Sequence, residues 1–313
     1  MNTRLILYGA LAGALGGAVG WLPGEGVAAV RASNASVQSL VTAAYFVLIG
    51  GGIGGALGGL DGWLNRARAR LIVGGRTGAL LGALGGAVGG LIGQVAFQAL
   101  SGIGLGLLGR AIGWGLVGVF IGLSQGVRSH DRAWLWRGAI GGLLGGYLGG
   151  GAFEMISLIL GQGTLSRFIA DVLLGAFIGA LITFVVTWLS EAWLVVVSAG
   201  KQEGRRVELK KGETTLGRGD RNDFVLFAST DRVAQHAAVI RKPDGYWLRP
   251  TAPASIDGQP VAGEQRLRNK NRIAIGGMTL LFSEQTPTCP KCGAGVRAGA
   301  RFCPVCRAPL GKV

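Results

Sequence analysis

The first 200 residues contain no lysine and no cysteine, and only eleven arginines and six acidic residues. So little charge excludes an ordinary soluble surface over that stretch. Soluble domains carry about 25% charged residues, whereas this whole chain carries 15%. The missing cysteines exclude a disulfide framework there. All four cysteines fall within the last 25 residues, in pairs that read as metal ligands in a reducing compartment. Histidine is nearly absent. His130 lies among Arg128, Asp131 and Arg132 and reads as a solvated loop residue, which leaves His236 alone in the C-terminal part. No GxxxxGK[ST] phosphate loop occurs, and Gly217-Arg-Gly219 does not make one. GxGxxG-like stretches in the first half follow from a total of 59 glycines and carry no message. No nucleophile–base constellation is visible, so the expectation is a non-enzymatic protein.

What is abundant is apolar. Hydrophobic residues make up 49% of 313, and the mean hydropathy is +0.44. A membrane-spanning helix needs about 20 mostly apolar residues, and six runs qualify: roughly 4–22, 38–60, 72–98, 104–126, 138–160 and 168–196. The texture changes near Ser198–Lys201, which predicts a transmembrane domain over 1–200, a β-domain over 201–285 and a metal-binding tail over 286–313. The net charge of +15 is assigned to arginines flanking membrane spans and to a basic part beside anionic lipid. The expected contact is therefore the lipid bilayer, not nucleic acid. Arg66, Arg68, Arg70 and Arg76 follow the second run, Arg128, Arg132 and Arg137 the fourth, and a Lys/Arg cluster from Lys201 the sixth. With Arg4 these share one side, which by the positive-inside rule places both termini in the cytoplasm and the protein in the cell membrane.

The membrane part repeats itself. Gly9–Gly20 (GALAGALGGAVG) and Gly78–Gly89 (GALLGALGGAVG) differ at one position, and Gly138–Gly149 (GAIGGLLGGYLG) is a looser third copy. The first run is therefore a span and not a signal peptide. Gly51–Trp63, Gly113–Gly126 and Gly175–Val185 resemble one another in turn. One helical hairpin present three times in the same orientation predicts a pseudo-threefold bundle. Glycines spaced by four, as in Gly78, Gly82, Gly86 and Gly90, share a helix face and allow neighbouring backbones to approach closely. Such stripes read first as packing faces and second as the wall of a pathway. A homo-oligomer stays open as well. Glu154 and Asp171 lie within apolar runs, where charge is costly and often functional. They are expected either to pair with Arg110 or Arg167, or to line an ion path.

After Arg206 short strands alternate with turn signals such as Asp257-Gly, which suggests a small β-sandwich. The residues Leu216-Gly-Arg-Gly-Asp-Arg-Asn-Asp-Phe-Val-Leu226, His236-Ala-Ala-Val, Tyr246-Trp-Leu, Asp257-Gly-Gln-Pro-Val and Ile273-Ala-Ile-Gly276, then Leu280-Leu-Phe, resemble a forkhead-associated (FHA) domain over about 206–284. The resemblance implies an eleven-stranded sandwich that binds phosphothreonine peptides through loops at one end. It puts the phosphate-binding arginine at Arg218, and the histidine that buttresses the binding loop at His236. Two features depart from the family. Its serine three residues before the histidine is Val233 here, and its Ser-Thr-Asn-Gly turn is replaced by Pro250-Thr-Ala-Pro-Ala-Ser255. Ser229, Thr230 and Thr251 are the substitutes at hand.

The tail reads Cys289-Pro-Lys-Cys292, ten residues, then Cys303-Pro-Val-Cys306. Two CxxC knuckles supply four thiolates for one closed tetrahedral zinc (Zn2+) site. The tail resembles short zinc ribbons, in which the metal is structural. Together these readings describe an α-helical membrane bundle, an FHA-like sandwich and a zinc ribbon. The implied role is recognition of a cytosolic protein partner, with phosphothreonine as one basis. The alternative is a channel or transporter built from the repeated hairpins.

Overall fold

The structure is a computed structural model. It describes residues 3–30, 34–64, 67–127, 132–161, 163–198, 203–209, 212–219, 222–226, 233–242, 245–284, 291–292, 302–303 and 305–309. The chain divides into two compact units, Met1–Leu189 and Ser190–Val313.

The first unit consists of six helices: α1 Thr3–Ala28, α2 Ala35–Leu64, α3 Arg68–Ser101, α4 Gly106–Val127, α5 Arg132–Leu160 and α6 Thr164–Trp188. All six are long and apolar enough to cross a membrane. Each packs on its sequence neighbours, and α1 packs on α6 to close a ring; α2 also meets α4 and α6 across the centre. Burial separates the helices into two sets. The apolar spans of α2, α4 and α6 are 44–50% buried, and those of α1, α3 and α5 only 28–33%. The even helices are thus the inner triad and the odd helices the outer ring. Leu15, Leu80, Leu84 and Leu148 of the outer ring point outward, each more than half exposed, as lipid-facing side chains must.

Glycine spacing determines this ring. On each outer helix one glycine ridge meets one inner helix, and a second ridge meets the next. Gly13 faces Gly175 of α6, Gly82 faces Gly50 of α2, and Gly142 faces Gly118 of α4. A Cβ at these three positions would lie 1.9, 2.1 and 1.9 Å from the facing carbonyl oxygen. Offset by a residue or so per turn, Gly20 meets Ile49 of α2, Gly89 meets Gly113 of α4, and Gly149 meets Leu174 of α6. The same pair of contacts made three times is the pseudo-threefold arrangement expected from the repeat. On the axis the inner helices supply matching apolar tiers, Ile49, Val117 and Leu174, then Ile53, Ile121 and Ile178, all fully buried. Trp63, Trp136 and Trp188 stand exposed at the arginine-rich end, the position of an aromatic belt at a membrane interface.

The second unit is a sandwich of eleven strands: β1 Ala192–Val196, β2 Arg206–Glu208, β3 Glu213–Gly217, β4 Phe224–Val225, β5 Ala237–Lys242, β6 Gly245–Pro250, β7 Ala254–Ile256, β8 Gln259–Pro260, β9 Gln265–Arg266, β10 Arg272–Ile275 and β11 Met278–Glu284. The sheets run β2-β1-β11-β10-β7-β8 and β4-β3-β5-β6-β9. Their alternating inward residues, Leu194, Leu216, Phe224, Leu248, Leu280 and Phe282 among them, form one core. This is the architecture implied by the FHA resemblance, with one correction to its limits. The sixth apolar run, read as 168–196, ends as a helix at Trp188. Its last part is β1, which pairs with β2 and β11 in the middle of a sheet. The unit that holds the sandwich therefore starts near Ser190, not at 201. An apolar run buried inside a sandwich has the same hydropathy as one in lipid, so composition alone could not separate them.

Candidate functional site

Three places carry polar chemistry. The first lies inside the helical unit, at the end away from the arginine-rich connections. Thr42, Arg110 and Arg167 each stand eight residues before a ridge glycine of an inner helix, namely Gly50, Gly118 and Gly175. Glu25, Gln94 and Glu154 each stand sixteen residues after the first ridge glycine of an outer helix, namely Gly9, Gly78 and Gly138. The pseudo-symmetry therefore provides three acid–base positions. Two are ion pairs, Glu25 with Arg167 and Glu154 with Arg110, and in the third both partners are neutral. Asp171 stays out of these pairs. It is fully buried two turns into α6, and the Tyr45 hydroxyl donates to its Oδ2 at 2.5 Å. A cavity of about 200 Å³ opens beside these groups, with Gln38, Tyr45, Arg110, Trp114, Glu154 and Arg167 in its wall. Glu25 and Tyr45 were not recognised from sequence. Glu25 lies outside the first apolar run as read, and Tyr45 has no charge to mark it. The signal for Glu25 was its register with Glu154 in the repeat.

The second place is one end of the sandwich. Arg218 follows β3 and is exposed, with no hydrogen bond or ion pair to any described residue. The turn that carries it is held from behind. The Asn222 side-chain amide donates to the carbonyls of Gly219 (2.9 Å) and Ala234 (2.6 Å), and the Gly219 N–H also reaches Ala234 O (2.9 Å). The Asp223 carboxylate accepts from Thr215 N–H and hydroxyl at 3.0 and 3.1 Å. Gly217 has to be glycine, because a Cβ there would stand 2.3 Å from Ala234 O. His236 is buried, and its carbonyl accepts the N–H groups of Thr251 and Ala252 at 2.8 and 2.9 Å. The Thr251 hydroxyl donates to Gln235 O at 3.1 Å. The structure thus brings Arg218, Val233, His236 and Thr251 to linked loops, with Val233 exposed at 36%. Ser229 and Thr230 lie outside the described residues. The buttresses Asn222 and Asp223 were inside the motif, but only their hydrogen bonds give them this role.

The third place is the cysteine tail. The Sγ atoms of Cys292, Cys303 and Cys306 all lie within 4.8 Å of one another, and Cys292 and Cys303 are 3.6 Å apart. A disulfide would need about 2.05 Å. A tetrahedral zinc with Zn–S bonds of about 2.3 Å separates its sulfurs by roughly 3.8 Å, so the thiols fit a metal. The N–H groups of Val305 and Cys306 donate to Cys303 Sγ at 3.4 and 3.5 Å, which is the knuckle geometry. The Cys306 N–H is the main cause of a Cys303 thiol pKa lowered to about 6, with burial acting in the opposite direction. That favours the thiolate a metal needs. Cys289, the expected fourth ligand, lies outside the described residues.

Residues 288–310 match the zinc-ribbon domain family. The ribbon covers only the tail, and no curated protein matches the chain as a relative. Among solved structures, the FHA domain of CT664 from Chlamydia trachomatis is 20% identical and spans 31% of this chain and 99% of its own, with a TM-score of 0.27. The cytoplasmic domain of the sorting-platform protein PscD from P. aeruginosa is 22% identical over 38% of this chain and 98% of its own, at 0.27. Mycobacterium tuberculosis EmbR, solved with a low-affinity phosphopeptide, is 16% identical over 79% of this chain and 73% of its own, at 0.28. At such values the assignment of the sandwich rests on its own eleven strands. The zinc ribbon rests on its two knuckles and the family match together.

Proposed function

We propose that this is a non-enzymatic membrane protein that presents its FHA-like sandwich and zinc ribbon to the cytosol, where the sandwich binds a protein partner phosphorylated on threonine. One observation carries the reading. Arg218 is exposed on a turn locked by Asn222 and Asp223, with its guanidinium uncommitted to any described residue. A planar fork held on a rigid turn suits a phosphate oxygen pair. The Thr251 hydroxyl, in the region where Val233 supplies none, donates to Gln235 O and would have to turn from that carbonyl to reach a phosphate. The cytosolic side is supported by the positions of the arginines and by thiols suited to a reducing compartment. Zinc in the tail is supported by the three gathered thiols. A structural role for it follows from a closed four-thiolate shell, which leaves no open position for substrate.

The test is binding of full-length protein in lipid nanodiscs to a phosphothreonine peptide library, with unphosphorylated peptides as control. Phosphate-dependent binding that Arg218→Ala weakens by about tenfold or more supports the reading. Equal binding of both peptide sets, or an Arg218→Ala variant that binds as well as the parent, refutes it. The helical unit does not require a pathway to explain its size, because apolar tiers fill its axis between the described helices.

A further inference from the structure

The two ion pairs of the helical unit occupy pseudo-equivalent positions but differ in state. Arg167 is closed on Glu25 by hydrogen bonds of 2.9 and 2.5 Å, and the Thr164 hydroxyl donates to the same carboxylate at 2.8 Å. Arg110 and Glu154 approach only to 3.7 Å, and Arg110 Nε has no hydrogen-bond acceptor among the described residues. The open pair is the one whose two members both line the cavity.

A guanidinium offers five donors, and a carboxylate about four acceptor sites. A pair held 3.7 Å apart, with Arg110 also over the Phe97 ring at 4.4 Å, leaves donors and acceptors of both groups without a hydrogen-bond partner among the described residues. The remaining wall is mixed, with Gln38, Thr42, Tyr45 and Ser157 on one part and an aromatic group on another. The Phe46 ring is stacked on Trp114 with centroids 3.8 Å apart, and Phe153 lies 5.7 Å from Trp114. The two ion pairs balance in charge, Arg110 and Arg167 against Glu154 and Glu25, and Asp171 is a fifth group, outside the cavity wall and bonded to Tyr45. A net anion or cation would upset that balance in a medium where uncompensated charge is expensive. A molecule with one charge of each sign would not.

We propose that this cavity binds a small zwitterion of the α-amino-acid class. Its carboxylate lies on Arg110, its ammonium on Glu154, and its side chain against Trp114 and Phe153. The volume of about 200 Å³ is below the roughly 300–1,000 Å³ of pockets for drug-sized ligands, which restricts the ligand to amino-acid size. The cavity lies at the end of the bundle that carries the α1–α2 connection. Beneath it the tiers of Ile49, Val117 and Leu174 and of Ile53, Ile121 and Ile178 close the axis. The site is therefore a receptor pocket and not a passage, and this holds whether or not the sandwich reads phosphothreonine.

The experiment is calorimetric titration of the full-length protein in nanodiscs with the common amino acids. Each is run beside the amine and the carboxylic acid that lack one of its charges. At least one amino acid is expected to bind, and its singly charged analogues to bind about tenfold to a hundredfold more weakly. The double variant Arg110→Thr with Glu154→Gln recreates the Thr42 and Gln94 that the chain already carries at the equivalent positions. It should therefore fold, as checked by gel filtration, and lose binding. Glu154→Gln alone should lose preference for the amino acid over its carboxylic-acid analogue. Binding of no amino acid, equal binding of an analogue, or unchanged binding by the double variant would each overturn the proposal.

Discussion

Replacing Gly142 by alanine tests the ring of helices at one atom. The new Cβ would sit 1.9 Å from Gly118 O and 2.5 Å from its carbonyl carbon, both backbone atoms of α4. Ordinary van der Waals contact begins near 3.4 Å, so α4 and α5 must withdraw by about 1.5 Å. A gap of that size forfeits well over half of each contact along the seam. Lipid supplies no compensating hydrophobic force between helices. Overpacking of this kind costs about 1–3 kcal/mol, partly offset by up to about 1 kcal/mol of helix propensity gained from alanine. Gly151 on the same helix meets nothing within 4 Å, so Gly151→Ala keeps the propensity gain without the clash. Equilibrium unfolding in mixed micelles should therefore rank Gly151→Ala at or above the parent, and Gly142→Ala about 1–2 kcal/mol below it. Gly13→Ala and Gly82→Ala hold the equivalent contacts on α1 and α3 and should cost about the same. If Gly142→Ala proved as stable as Gly151→Ala, or the three equivalent variants scattered without pattern, the glycine-to-carbonyl seams would not be what closes the ring.

Three further outcomes are expected. Tyr45→Phe leaves the buried Asp171 carboxyl without its donor and should cost about 1–3 kcal/mol in the same assay, whereas a neutral effect would mean that Asp171 is satisfied by other means. Elemental analysis should find about one zinc per chain, and Cys292→Ser should lower that ratio; a metal-free parent with an intact tail would refute the zinc assignment. Burial raises the pKa of Glu284 on β11, with Arg266 opposing. Its ionised form therefore weakens the fold, and the parent gains stability as pH falls through the raised folded value. Glu284→Gln should thus melt higher than the parent near neutral pH and lose that advantage in acid; a constant difference across pH would show that its charge is not the cause.

The sequence alone determined the membrane class, the number of spans and the threefold plan. Each follows from features that are local or simply repeated: apolar runs of spanning length, and glycines every four residues in copies that nearly coincide. It determined the zinc knuckles for the same reason, since each CxxC pair is a local unit, and it determined the type of sandwich through an ordered set of short motifs. Only tertiary structure decided where the membrane unit stops, because Ala192–Val196 is as apolar as the helix before it and becomes a strand through its partners Arg206–Glu208 and Met278–Glu284. Only tertiary structure joined Glu25 to Arg167, 142 residues away, and Tyr45 to Asp171, 126 away. Charge placement inside the bundle is a pairwise property of packed helices. A residue's own position states that a charge needs a partner, and the fold alone states which partner it has and whether the pair is closed.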